Sequence, residues 1–129
     1  SASCQIRVRY SETDKMGVAY YANYFVWFEV ARCELLRTVG GNYRKMEQDG
    51  IFLPVIQANC RFLQPARYDD KLTVLTRGRI HSPVRVEFTY ELRRSQDELV
   101  LATGETLHAA TGQTGRPSRL PENIRAMLS

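Results

Sequence analysis

Apolar and polar residues alternate most cleanly from Val84 to Arg93, where Val84, Val86, Phe88, Tyr90 and Leu92 interleave with Arg85, Glu87, Thr89, Glu91 and Arg93. A period of two marks a strand with one buried face. Gln5 to Tyr10 alternates likewise, with Ile6, Val8 and Tyr10 on one side, and predicts a first strand. Phe52 to Leu63, Lys71 to Ile80 and Leu99 to Thr111 predict three more. They are separated by turn formers: Pro65 with Asp69-Asp70, Ser82-Pro83, and Ser95-Gln96-Asp97. Between the first strand and these, a loop SETDKMG leads into an apolar stretch from Asn23 to Val39 that lacks Gly and Pro. On a helix, Tyr24, Phe28, Ala31, Leu35 and Val39 form one stripe, widened by Phe25 and Leu36, while Val26, Trp27, Val30 and Cys33 occupy the other side. A helix apolar nearly all round is expected to be buried, with Glu29–Arg32 and Glu34–Arg37 pairing at i, i+3 and Gly40-Gly41 ending it. A helical turn around Asn42 to Gln48 and a short closing helix from Pro121 to Leu128 complete the pattern.

The order is strand, helix, then four strands in succession. Strands joined by short turns pair antiparallel, and a sheet with one apolar face curls around an apolar helix. The expectation is an α+β fold in one domain, 1-129, with no internal repeat or linker. One helix leaves a sheet edge open, and open edges pair. A homo-oligomer is therefore expected.

Composition narrows the function classes. The chain has 129 residues, 43% hydrophobic and 25% charged, an ordinary globular balance. No apolar run is long enough to span a membrane, and the opening residues lack the basic-then-apolar order of a signal peptide. Cys4, Cys33 and Cys60 are widely spaced with no CxxC, which argues against a disulfide framework or zinc site and for a reducing cytoplasm. The net charge of +4 comes without a basic run, so a polyanionic small molecule fits it better than nucleic acid.

The stretch RYSETDKMGVAYYANYFVWFEVAR, Arg9 to Arg32, holds the candidate chemistry. Asp14 lies in a Gly-containing loop that runs straight into the long helix. Helix N-termini present unpaired N–H groups and partial positive charge, which suit a carbonyl oxygen that gains negative charge on attack. A carboxylate facing such donors serves as general base or nucleophile. The competing reading makes Asp14 and Asn23 turn and capping residues. Glu12, two residues upstream, reads as a solvated loop acid. Gln57 and Asn59 read as strand residues, either of which is placed to face water or a substrate. His81 and His108 lack metal-ligand spacing. Arg77, Arg79, Arg85, Arg93 and Arg94 read as a solvated sheet face from which some side chains can reach phosphates.

On Tyr10, Glu12, Thr13, Asp14, Gly17, Val18, Tyr20, Tyr21, Asn23 and Tyr24, followed by Phe28, Glu29 and Ala31-Arg32, the chain resembles the hotdog-fold thioesterases around hydroxybenzoyl-CoA thioesterase and the short acyl-CoA thioester hydrolases. A second patch, Arg61 to Leu72, resembles that family's strand, proline, turn and strand. The resemblance covers roughly residues 5 to 112. It implies a hotdog fold, an antiparallel sheet of about five strands curled around one long buried helix, and hydrolysis of acyl-CoA without metal or cofactor. Acyl carrier protein is the alternative thiol carrier. It implies Asp14 as the catalytic carboxylate and the Tyr21 backbone N–H as carbonyl donor. Gly17, Val18, Tyr20, Tyr24 and Asn59 are then expected at the substrate. The family's sites lie at dimer interfaces, which implies a homodimer or homotetramer. Many members carry His where Tyr21 stands, so a side-chain role at this position is not implied. A non-catalytic acyl-CoA-binding module is the alternative, disfavoured by Asp14 with Gly17. A dehydratase would need a His and an acid on the helix, and the helix has no His.

Overall fold

The computed structural model describes residues 2–38 and 43–128. Five strands, β1 (Ala2–Arg7), β2 (Val55–Phe62), β3 (Lys71–Ile80), β4 (Arg85–Arg94) and β5 (Val100–Ala109), form one sheet in the order β1-β3-β4-β5-β2. Every neighbouring pair is antiparallel. Helix α1 (Ala22–Thr38) packs on the sheet, and two short helices, α2 (Tyr43–Gln48) and α3 (Glu122–Leu128), follow it along the chain. This is the predicted α+β arrangement.

Alternation dictates the layering. Val86, Phe88, Tyr90 and Leu92 of β4 are buried, and the register carries their face across Val74 and Thr76 of β3 and Thr106 and His108 of β5. Helix α1 packs against this face through Tyr24, Trp27, Phe28, Ala31, Leu35 and Leu36. The Phe28 ring stacks on Tyr90, centroids 4.5 Å apart and nearly parallel at 8°. Gly104 of β5 makes room for it: a Cβ there would lie 2.5 Å from Phe28 Cε2 and 2.9 Å from the Asn59 carbonyl oxygen.

The structure corrects four expectations. The first strand ends at Arg7, and Tyr10 stands exposed in a 3-10 turn, Tyr10–Glu12, because the chain must leave the sheet to reach α1. The helix is not buried all round: Trp27 joins the inner stripe, but Val26 and Val30 are 49% and 42% exposed. The strand after α2 starts at Val55, with Phe52 only bridged to Thr111. The expected Glu34–Arg37 pair forms, whereas Arg32 turns inward. The expected stop at Gly40-Gly41 and the stripe's Val39 lie outside the described residues.

Arg32 is 7% exposed and heads a buried polar chain. The Leu53 carbonyl can only accept, so His108 donates to it from Nδ1 (3.0 Å) and its Nε2 must accept from the Thr106 hydroxyl (2.8 Å). Thr106 Oγ1 in turn accepts from the Tyr90 hydroxyl (2.7 Å), whose oxygen accepts from Arg32 Nη1 (3.0 Å). One proton direction satisfies every member. Burial holds His108 well below its ordinary value, at about 4, with the nearby Arg32 charge adding to the effect.

Candidate active site

The loop before α1 is a tight hairpin. Thr13 bridges Ala19, Asp14 N–H donates to the Val18 carbonyl (2.9 Å), and Gly17 N–H donates to the Asp14 carbonyl (3.0 Å). Gly17 takes φ +77°, the left-handed conformation that closes such a turn and that a side chain disfavours. Asp14 stands exposed at its start, with Oδ1 accepting the Met16 N–H (2.8 Å). The turn-forming role weighed from sequence is thus present, and it fixes the carboxylate's orientation.

Glu12 fastens this hairpin to the helix. It is not the solvated acid expected from sequence but 6% exposed. Oε1 accepts the Arg9 N–H (2.8 Å) and Oε2 accepts the Trp27 indole N–H (3.0 Å). Its carbonyl accepts both the Tyr20 N–H (2.8 Å) and the Asn23 side-chain amide (2.9 Å). Asn23 therefore sits within the first turn and ties it to the hairpin rather than capping it. Asn23 and Tyr24 N–H donate to the carbonyls of Tyr20 and Tyr21. Among the described residues the Tyr21 N–H donates to no other backbone group, which leaves a donor at the positive end of the α1 dipole.

Beside that donor lies a cleft of about 290 Å³ lined by Ala19, Tyr21, Tyr24, Phe62, Leu63, Gln64 and Pro65. Phe62 meets the rings of Tyr24 (4.9 Å) and Tyr21 (6.3 Å) edge to face. The Tyr24 hydroxyl accepts the Ala66 N–H (3.2 Å) and, buried, is pushed above its ordinary pKa. The hydrogen bond with Tyr21 raises the Tyr20 hydroxyl as well. The structure therefore brings together Asp14, Gly17, Val18, Tyr20, Tyr21 and Tyr24 around one hairpin and helix end, with Tyr21 and Tyr24 as walls.

Asn59 does not join them. It lies on the opposite sheet face, donating to Glu105 Oε1 (2.7 Å) beside a separate hollow of about 190 Å³ with His81 and Glu87. Arg93 and Arg94 pair with Glu91 and Asp97, whereas Arg77, Arg79 and Arg85 carry no ion pair among the described residues. No group of three or more metal-ligating side chains occurs among the described residues. Nor is any described helix long and apolar enough to cross a membrane.

Sequence reasoning missed Glu12, Phe62 and Ala66. The signal for Glu12 was its spacing of three from Arg9, the acid position of a capping box, but without the Ser or Thr that makes such a box readable.

The model of the Thioesterase-like superfamily matches residues 8–128. The crystal structure of a hypothetical protein from Thermus thermophilus superposes with TM-score 0.92 at 35% identity, covering 99% of this chain and 97% of that one. A DHNA-CoA thioesterase from Staphylococcus aureus gives TM-score 0.89 at 34% identity, over 98% and 85% of the two chains. The acyl-CoA thioester hydrolase YbgC of Escherichia coli is 26% identical over 94% of this chain and 90% of its own length.

Proposed function

Because the chain belongs to the thioesterase-like superfamily, we propose that it hydrolyses acyl-CoA thioesters to free acid and coenzyme A, with Asp14 as the catalytic carboxylate. The observation that carries the reading is the Glu12 carbonyl, which binds the Tyr20 N–H and the Asn23 amide at once. It makes the Asp14 hairpin and the Tyr21 donor parts of one rigid unit beside an apolar cleft.

In this reading the thioester carbonyl oxygen rests on the Tyr21 N–H, where the helix dipole favours the charge it gains. Asp14 either takes a proton from water as that water adds to the carbonyl carbon, or adds itself to give a mixed anhydride that water opens. On both routes the C–S bond breaks, and coenzyme A leaves as a thiolate that then takes up a proton. Coenzyme A is part of the substrate, and no further cofactor is required. Single turnover in heavy-oxygen water bears on the choice, since label in Asp14 arises only when water opens an anhydride at the Asp14 carbon.

The aromatic walls Tyr21, Tyr24 and Phe62 favour a flat acyl group. Coenzyme A is preferred to acyl carrier protein as the thiol carrier because the Staphylococcus aureus and Escherichia coli relatives are CoA-thioester enzymes by name. The exposed, unpaired edge of β2 supports a homodimer, and three free cysteines support a cytoplasmic setting.

Asp14→Asn tests the core of this. Asparagine keeps the acceptor for Met16 N–H, so Tm should hold, while loss of the base should lower kcat roughly 10²–10⁴-fold. Activity within a few-fold of the parent would refute the assignment and favour a non-catalytic acyl-CoA-binding module.

A further inference from the structure

Glu12 carries a carboxylate that takes no part in the chemistry above. It is 6% exposed and lies beside Trp27, itself 2% exposed. Oε1 accepts the Arg9 N–H (2.8 Å), with Arg9 Nε at 3.5 Å, and Oε2 accepts the Trp27 indole N–H (3.0 Å). Burying a charge is costly unless donors repay it. Only a carboxylate presents an acceptor to each of two fixed donors; an amide presents one and turns an NH₂ on the other. From Trp27 the contacts run on around the cleft. The indole packs on the Tyr24 ring at 5.0 Å, the Tyr24 hydroxyl accepts the Ala66 N–H (3.2 Å), and the Ala66 carbonyl accepts the Ala19 N–H (2.7 Å). Ala19 is bridged to Thr13, the residue after Glu12, and there the circuit closes. Asp14 hangs from it at one point, and Tyr24 lines the cleft at another.

We infer that Glu12 is a positioning residue for the hydrolysis proposed above, on which this role rests: through Trp27 it fixes the Tyr24 wall relative to Asp14 and the Tyr21 donor. An acyl group seated against Tyr24 then brings its thioester to the carboxylate at a set distance. Misplacement by about 1 Å costs on the order of 10²-fold in rate. A flat acyl group that touches the wall takes its position from it, whereas a short chain that does not reach the wall takes none. Breaking the Glu12–Trp27 bond therefore slows the first more than the second. Selection among acyl groups is thereby expressed in turnover rather than in binding.

Steady-state turnover of benzoyl-CoA and butyryl-CoA by the full chain tests this. Glu12→Gln should lower the ratio of their kcat values roughly ten-fold, with KM for each within about two-fold. The ratio cancels the folded fraction, so a role in stability alone leaves it where it stands. Trp27→Phe keeps a ring in the core and removes the indole N–H, which serves where the buried amide of Glu12→Gln prevents folding. It should lower the ratio by a similar factor. The double variant should be no worse than either single one, because both break the same bond. A ratio unchanged in Trp27→Phe, whatever becomes of Tm, would overturn the inference. So would losses that multiply in the double variant, or losses confined to KM. A parent that hydrolyses neither thioester overturns the thioesterase reading and this role with it. A parent that turns over both, with a ratio indifferent to Glu12 and Trp27, leaves that reading standing and refutes the positioning alone.

Discussion

Gly104 carries the closest approach between helix and sheet. Its missing Cβ is the space that Phe28 Cε2 and the Asn59 carbonyl oxygen already hold, one atom from the core and one from the backbone of β2. Neither can retreat without shifting an element. Gly104→Ala should therefore lower stability by about 1–3 kcal/mol, seen as a lower denaturant midpoint with an unchanged slope. The same mutation tests the register, since a one-residue slip of β5 would turn this position outward and make alanine harmless. Nothing in the sequence marks Gly104 apart from any other strand glycine. Its reason lies in residues 76 and 45 positions away, Phe28 and Asn59. Glu12 and Arg32 were equally illegible: a carboxylate reads as solvated until the Trp27 indole is known to meet it, and an arginine reads as surface until Tyr90 does. The approach of the Asp14 loop to the start of α1 was legible because that relation is local, a turn running into a helix start, whereas Tyr21 entered only through the family resemblance.

Elements linked by the buried chain from Arg32 to Leu53 should respond together to acid. His108 titrates near 4 in the fold against an ordinary 6.5, so above pH 6.5 it is neutral folded or unfolded. Between those values the unfolded chain binds a proton that the fold refuses, and stability falls as pH falls. The full difference amounts to about 3 kcal/mol and is reached once pH drops below about 4. Denaturant midpoints measured from pH 8 to 4 should show this slope, and His108→Gln should flatten it. At this scale β4 and α1 were plain in the sequence, because strict alternation and a helical stripe each survive burial on one face. The strand β2 was placed but misread in its surroundings. Its residues are apolar at Val55, Ile56 and Phe62, yet those side chains are exposed.

The whole molecule explains that exposure if a second copy covers it. The edge of β2 away from β5 is unpaired, and Val26 and Val30 of α1 are exposed apolar side chains as well. Light scattering should report at least a dimer at micromolar concentration. Ile56→Lys, which places a charge on the open edge, should shift the population toward monomer. A parent chain that scatters as a monomer would remove the dimer from the proposal. The sequence led to an open edge but could not name which strand held it, because strand order is decided by pairing across the whole chain.

The pairing of β1 with β3 also governs when the chain can work. Ala2 pairs with Thr76, and the hairpin leans on Ala66 through the Ala19 N–H. The strands β3, β4 and β5 follow one another and pair as neighbours, so they can form early, while the amino-terminal third waits for them. On the ribosome, Asp14 emerges well before Ala66 and β3, and its hairpin stays unanchored until they have been made. Chains that stop short of β3 therefore lack the partners that hold the Asp14 hairpin in place.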